Sequence, residues 1–263
     1  MGLIATKCFM STDCCGTDAS LWFFMRARLK PLIAVALLLA AATAHAEVAP
    51  GYVSVPPSND GIGKTYEGRE IAGVMGWQAS GWLEREERER EERGSLLLHE
   101  LRLRPGMAVA DVGAGTGYYT RRIAPLVGPS GKVFAVDVQP QMVALLQKTA
   151  ARPEFANVVP VLGAVTDPRL APGSIDVALM VDVYHELEFP HEMFANIVRA
   201  LKPGGRVVFV EYRAEDLKVP IKPAHKMSEA QIRREASRQA LVWERTADTL
   251  PWQHVVVFRK RAE

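Results

Sequence analysis

The stretch Val109-Ala-Asp-Val-Gly-Ala-Gly-Thr-Gly117 decides how this chain is read. The apolar run 107–112 has the length and composition of a buried strand. Asp111 stands near its carboxyl end, and Gly113, Gly115 and Gly117 follow at alternate positions. Residues 118–127 then place Ile123, Ala124 and Val127 on one helical face. A strand, a glycine turn and a helix in that order bring a backbone close to a nucleotide-like ligand. The spacing is Gly-x-Gly-x-Gly with an acid two residues ahead. A dinucleotide fingerprint starting at Gly113 would need glycine at 118, where this chain has Tyr118.

Working outward, Lys132-Val-Phe-Ala-Val-Asp137 reads as a second strand with an acid at its tip. Two further blocks follow, Ser174-Ile-Asp-Val-Ala-Leu-Met-Val-Asp182 and Leu201-Lys-Pro-Gly-Gly-Arg-Val-Val-Phe-Val210. The periodicity predicts strands at 107–112, 132–137, 158–162, 175–181 and 206–211, with helices at 118–127, 140–150 and 190–200. Such alternation implies parallel strands with helices on both faces. Ser228-Glu-Ala-Gln231 reads as a capping box opening a helix to about Arg238, after a linker at 214–226. Two last strands, about 241–247 and 253–259, form a closing hairpin.

The four blocks, in this order, resemble the class I S-adenosylmethionine-dependent methyltransferases from about Leu96 to the C-terminus. The resemblance implies an α/β, Rossmann-like doubly wound sheet of seven strands, mostly parallel with one antiparallel strand near the C-terminus. It implies S-adenosyl-L-methionine as cofactor; a small-molecule acceptor is the default left by the motifs and residues the sequence lacks. Glycines at 113, 115 and 117 remove Cβ atoms where the ligand must approach. Asp111 is placed to bind the methionine ammonium or, alternatively, to cap the turn. Asp137 is suited to the ribose hydroxyls, with a helix N-cap as its plainer role, and Val138 to packing on the adenine. The family usually reads the adenine amine with an acid directly after the glycine that here is Gly163. Ala164 stands there instead, leaving Thr166 or Asp167 as substitutes.

The loop Asp182-Val-Tyr-His-Glu186 would face the reactive methyl, with Asp182 among the cofactor contacts. His185 is the general-base candidate, since an unperturbed imidazole titrates near about 6.5. Its plainer role is to satisfy a local carbonyl. Tyr184 would orient an acceptor hydroxyl or contact the sulfonium.

Composition narrows the rest. The 263 residues carry a net charge of +2, so no bulk field draws the chain to nucleic acid. Cys8, Cys14 and Cys15 are the only thiols, which excludes a disulfide framework or a catalytic cysteine in the later domain. It also disfavours C5-pyrimidine and arsenite methylation. Asn/Asp-Pro-Pro-Tyr is absent from the 182–186 loop, against methylation of adenine or glutamine amides. The six histidines show no local metal spacing, so no metal site is expected.

Residues 25–46 read as a secretory signal: Arg26, Arg28 and Lys30, the apolar run Leu32–Ala42, then Ala44-His45-Ala46. Residues 1–24 would be an upstream extension, and the mature chain, periplasmic or secreted, would begin near Glu47. Membrane contact would be transient, through the signal alone. Residues 47–94 read as a tether and an N-terminal helical cap, and 95–263 as the catalytic domain. In the run 84–93, Glu84/Arg88, Glu86/Arg90 and Glu89/Arg93 suit an exposed helix by about 0.2–0.5 kcal/mol per pair. Trp77, Trp82 or Arg85 could touch the ligand from this cap. Two alternatives stand beside methyl transfer: a methyltransferase-like protein that binds ligand without catalysis, and a nicotinamide-dependent oxidoreductase.

Overall fold

Alternation along β4 (Ala108–Val112) sends Val109 to one face of a sheet and Ala110 and Val112 to the other. The neighbouring strands do the same: Val177 and Leu179 join Val109, while Ala178 and Met180 join Ala110. Both faces must therefore be covered, and helices cover both. The computed structural model describes residues 51–261; the expected signal at 25–46 and extension at 1–24 lie outside the described residues.

The main sheet contains β4, β5 (Lys132–Asp137), β6 (Val158–Leu162), β7 (Ile175–Val181), β8 (Leu201–Tyr212), β9 (Leu241–Ala247) and β10 (Gln253–Lys260). Their order is β6-β5-β4-β7-β8-β10-β9, with β10 antiparallel to both β8 and β9. The pairs β6-β5, β5-β4, β4-β7 and β7-β8 are parallel. This is the seven-stranded arrangement that the sequence predicts.

Before the main sheet lie α1 (Arg88–Glu92) and α2 (Gly94–Glu100); within it come α3 (Tyr118–Val127), α4 (Pro140–Ala150), α5 (Pro190–Ala200) and α6 (Glu229–Ala236). Leu97, Ile123 and Leu146 cover the Val109 face, and Phe194, Ile197 and Ile232 the Ala110 face. The Ser228 hydroxyl accepts from Gln231 N at 3.1 Å and caps α6.

Two expectations for residues 47–94 need correction. The tether is replaced, from residue 52 onward, by a three-stranded antiparallel sheet: β1 (Tyr52–Ser54), β2 (Gly61–Tyr66) and β3 (Arg69–Ala72). Its β2–β3 turn is Glu67-Gly68, with φ of 50° and 86°, the two positive values that a tight hairpin requires. Tyr66, Ile71 and Ala72 are buried, and Tyr52 donates to Glu192 Oε2 at 2.6 Å. Gly, Pro and Ser served turns here, and the strands between them are too short to show a period.

The solvated helix is the second correction. A 3-10 segment (Trp77–Glu84) leads into α1, which spans one turn and ends at Arg93 with φ 50°. Arg88 and Glu92 are buried and paired at 2.8 Å. Glu92 also takes Arg85 at 2.6 Å and the Tyr212 hydroxyl at 3.1 Å. Removing one member of such a network leaves a buried charge without its counterion, at a cost of about 3–5 kcal/mol. Glu92→Ala should therefore lower the unfolding free energy of the full chain by that order, seen as a clearly lower urea midpoint. An unchanged midpoint would show that the network is not buried in solution.

Candidate functional site

The chain runs from β4 outward through β5 to β6, then returns to the other side of β4 as β7. Ligands of doubly wound sheets bind at this switch, outside the carboxyl ends of the strands. Asp111, the glycine turn, Asp137 and the 182–186 loop all meet there.

The turn is fastened to β5. Gly113 N and Ala114 N both donate to Val136 O, at 2.8 and 2.9 Å. Asp137 Oδ2 accepts from Gly115 N at 2.9 Å, and Oδ1 from Gln139 N at 2.9 Å. One carboxylate thus ties the turn to the start of α4. Burial raises its pKa, against the pull of those backbone donors. Gly115 has φ 55°, and a Cβ there would stand 2.6 Å from Leu83 Cδ1. At Gly113, φ 73°, a Cβ would meet Val183 at 2.4 Å. Gly117, φ 85°, opens α3.

Asp111 is 3% exposed, and its Oδ2 accepts from the Thr120 hydroxyl at 2.6 Å. Burial pushes its pKa up to about 6, with Thr120 and Arg88 opposing and Asp137 adding to the rise. Val138 is exposed beside Asp137. Thr166 and Asp167 lie in the adjoining loop, where Gly163 N donates to Asp137 O at 2.9 Å. Asp167 Oδ1 accepts from Arg169 N at 2.7 Å, so this acid closes its own turn.

The loop after β7 departs from expectation. Asp182 has φ 50° and turns its carboxyl inward, where Oδ2 accepts from Gln253 Nε2 at 3.1 Å and Oδ1 has no partner. Burial, then Glu92 and Glu211, push its pKa well above the carboxylate range. Tyr184 is not an acceptor contact: it is fully buried, its ring edge-on to Phe194 and Phe209. The motif spacing placed it correctly in the loop, but apolar packing claimed the ring. His185 is 1% exposed. Its Nδ1 lies 2.6 Å from Glu211 Oε2 and its Nε2 3.1 Å from His225 Nδ1. Neither ring nitrogen opens directly onto an acceptor, so the direct base role is not the one this arrangement offers.

A cover crosses the turn. Trp77 N donates to Gln139 Oε1 at 2.8 Å, Gln139 Nε2 to Met75 O at 3.0 Å, and Met75 N to Glu186 Oε2 at 3.2 Å. Glu84 Oε1 takes the Thr116 hydroxyl and Arg121 at 2.5 and 2.6 Å. The Arg88 guanidinium lies 4.1 Å from the Tyr118 ring centroid. Trp77 and Trp82 stay exposed, and Arg85 turns to Glu91 and Glu92. The space left among Leu83, Arg88, Asp111 and the turn is about 30 Å³. A larger groove of about 460 Å³, lined by Pro125, Lys132 and Asn157 among others, opens at the amino end of β5, away from these groups.

A profile of the methyltransferase domain matches residues 103–256, more than half of the chain. The chain belongs to the methyltransferase-domain family. The chain is 33% identical over 123 residues to a protein-L-isoaspartate O-methyltransferase of Methanothrix thermoacetophila, covering 46% of the chain and 56% of the relative. It is 33% identical over 103 residues to an arsenite methyltransferase of Halobacterium salinarum, covering 39% and 26%. The chain thus spans about a quarter to a little over half the length of these curated relatives. In fold it is similar to a SAM-dependent methyltransferase from Aquifex aeolicus, with TM-score 0.66 and 23% identity, covering 71% of this chain and 99% of that one.

The cofactor that goes with this family is S-adenosylmethionine, and the donor set fits it. Three glycines with positive φ, an acid at the β5 tip and an exposed Val138 beside it offer a backbone approach, a diol acceptor and an apolar surface. Thr120, Arg88, Leu83, Gln139 and His225 belong to the site and carry no motif; His225 lies in the segment that reads as a linker, and Arg88 in the run that reads as an exposed helix.

Asp111 yields a prediction with a definite sign. Its folded pKa lies above the unfolded value of about 3.9, so the folded chain holds a proton that the unfolded chain releases first. Stability should fall by roughly 3 kcal/mol as pH rises from about 4 to about 6. Asp137 contributes in the same direction. Denaturant titrations across this range should show Asp111→Asn with a distinctly smaller fall. An equal fall in the variant would place the proton elsewhere.

Proposed function

We propose that this chain transfers a methyl group from S-adenosylmethionine to a small-molecule acceptor. Asp137 carries the reading: its carboxylate sits at the tip of β5, bonded to the glycine turn that a nucleoside must approach. S-adenosylmethionine supplies a methyl group on a positively charged sulfur, already activated for transfer. The protein's task is then alignment, which in favourable cases contributes about 7–11 kcal/mol. In this reading Asp137 holds the ribose hydroxyls, Val138 meets the adenine, and Asp111, held by Thr120, faces the methionine ammonium. Admitting the cofactor displaces Leu83 and the cover around it, since about 30 Å³ is roughly one water's share of space. The acceptor lies on the 182–186 side. There His185, fixed by Glu211, is a positioning residue, and His225, part-exposed, presents the outer ring.

The small-molecule class follows from the near-neutral charge and from the lack of a basic aromatic stripe. No helix of the described residues is long and apolar enough to cross a membrane. Export is part of the proposal and rests on the sequence at 25–46. Fractionation with N-terminal sequencing should find a mature start near Glu47 outside the cytosol; uncleaved chain in the native host's cytosol would contradict it. A binding-only protein is the second reading, favoured by the cover that closes over Gly115.

The test pairs calorimetry with labelled methyl transfer. The full chain should bind S-adenosylhomocysteine and not NAD, and should label at least one small hydroxyl, amine or thiol compound. Asp137→Ala should weaken S-adenosylhomocysteine about ten- to hundredfold, as loss of a charged hydrogen bond implies. Cofactor binding without transfer to any acceptor class would select the binding-only reading. NAD binding would overturn both.

A further inference from the structure

The 3-10 turn Tyr184–Glu186 and the 3-10 turn Pro223–His225 come from segments forty residues apart and meet at one point. His185 Nε2, His225 Nδ1 and Glu186 Oε1 form a triangle with sides of 3.1, 3.3 and 3.8 Å. Ligands held about 2.0–2.1 Å from a tetrahedral zinc ion stand about 3.3 Å apart. A point about 2 Å from all three atoms therefore exists within this triangle.

The groups behind the triangle are arranged for the same purpose. Glu211 Oε2, fully buried, lies 2.6 Å from His185 Nδ1. That contact puts the imidazole proton on Nδ1 and leaves the Nε2 lone pair aimed at the point, the carboxylate–histidine–metal relationship of zinc sites. Glu211 is held in turn by Tyr184 N at 2.9 Å. Glu186 Oε2 is occupied by Met75 N, so its other oxygen is the one turned inward. On the second turn, His225 N donates to Lys222 O at 3.0 Å and Pro223 restricts the backbone. Without a cation, one His225 proton must serve both the His185 lone pair and a Glu186 oxygen, 3.1 and 3.3 Å away.

We propose that His185, Glu186 and His225 form a site for a single divalent zinc-class cation. Two imidazoles and one carboxylate suit zinc and its neighbours in the first transition row rather than magnesium or calcium, which prefer oxygen. The charges of Glu186 and Glu211 balance the ion. Three protein ligands leave a fourth position for water or for an acceptor oxygen or sulfur. The loop that carries two of the ligands also places Val183 against Gly113, so the site borders the cofactor turn. The sequence shows none of this, because its third ligand lies in the proline- and lysine-rich segment 214–226. The site stands independently of methyl transfer.

The test uses the full chain without a polyhistidine tag, stripped with chelator and titrated with Zn²⁺ by calorimetry and with Co²⁺ by visible absorption. One equivalent should bind, with the intense ligand-field bands of four-coordinate Co²⁺. His225→Gln, which keeps the side chain's bulk, and Glu186→Gln should each weaken Zn²⁺ at least about tenfold. Glu211→Gln should weaken it about ten- to hundredfold through the orientation of His185. His191→Gln, outside the triangle, serves as the control and should bind as wild type. Circular dichroism confirms that each variant is folded. No uptake by the folded wild-type chain, or undiminished uptake in both His225→Gln and Glu186→Gln, would overturn the proposal.

Discussion

The hydrogen bond from Gly115 N to Asp137 Oδ2, 2.9 Å long and buried, is the constraint on which the site depends. It carries the β4–β5 pairing, whose last register pair is Val112 and Val136, on into the glycine turn. With Gly113 N and Ala114 N on Val136 O, it sets the path of the glycine turn and hence the start of α3. The same carboxylate receives Gln139 N, and Gln139 in turn anchors the cover at Met75 and Trp77. One acid therefore organises the cofactor turn, the first turn of α4 and the segment lying over both. A bare buried carboxylate would be costly, and the backbone donors offset that cost while leaving lone pairs for a ligand.

Electrostatics elsewhere in the site follow one pattern: carboxyl groups are buried beside few cations. Asp111 and Asp182 are pushed up, Asp182 next to Glu92 and Glu211. Arg88 is the nearest moderating charge and is shared with Glu92. A region with this surplus of acids favours a cationic occupant, whether the ammonium and sulfonium of the cofactor or a metal ion at the neighbouring histidines. The positive φ of Asp182, in a residue that is not glycine, marks a strained turn at the point where the two regions meet.

Much of the domain was legible in the sequence because its signals are local. The strand Lys132–Asp137 and the helices Tyr118–Val127, Pro140–Ala150 and Pro190–Ala200 have the predicted bounds, each carrying a full period between strong breakers. Strand β8 begins earlier than expected, at Leu201, because Leu201 already pairs with Ile175; the register then shifts across Lys202-Pro-Gly-Gly205, which reads as a turn, and pairing resumes at Arg206. The β1–β3 sheet escaped because Tyr66 and Arg69 acquire their meaning only from His191 on α5 and Glu235 on α6, more than a hundred residues later. The charged run misled for a related reason: identical Glu–Arg spacing serves a solvated helix or a buried network, and Tyr118, Tyr119 and Tyr212 decide which. At the site, glycines and terminal acids were visible, whereas Leu83, Gln139 and His225 gain their roles only through tertiary contact. Tyr184 shows the converse error, a motif residue whose ring the core requires.

The central claim is that the turn and Asp137 cradle a nucleoside once Leu83 moves aside. A crystal structure of the full chain with S-adenosylhomocysteine tests it most directly. The account predicts the ribose hydroxyls on Asp137, the adenine against Val138, and Leu83 displaced from Gly115. Ligand bound elsewhere, with Leu83 still packed on Gly115, would contradict it.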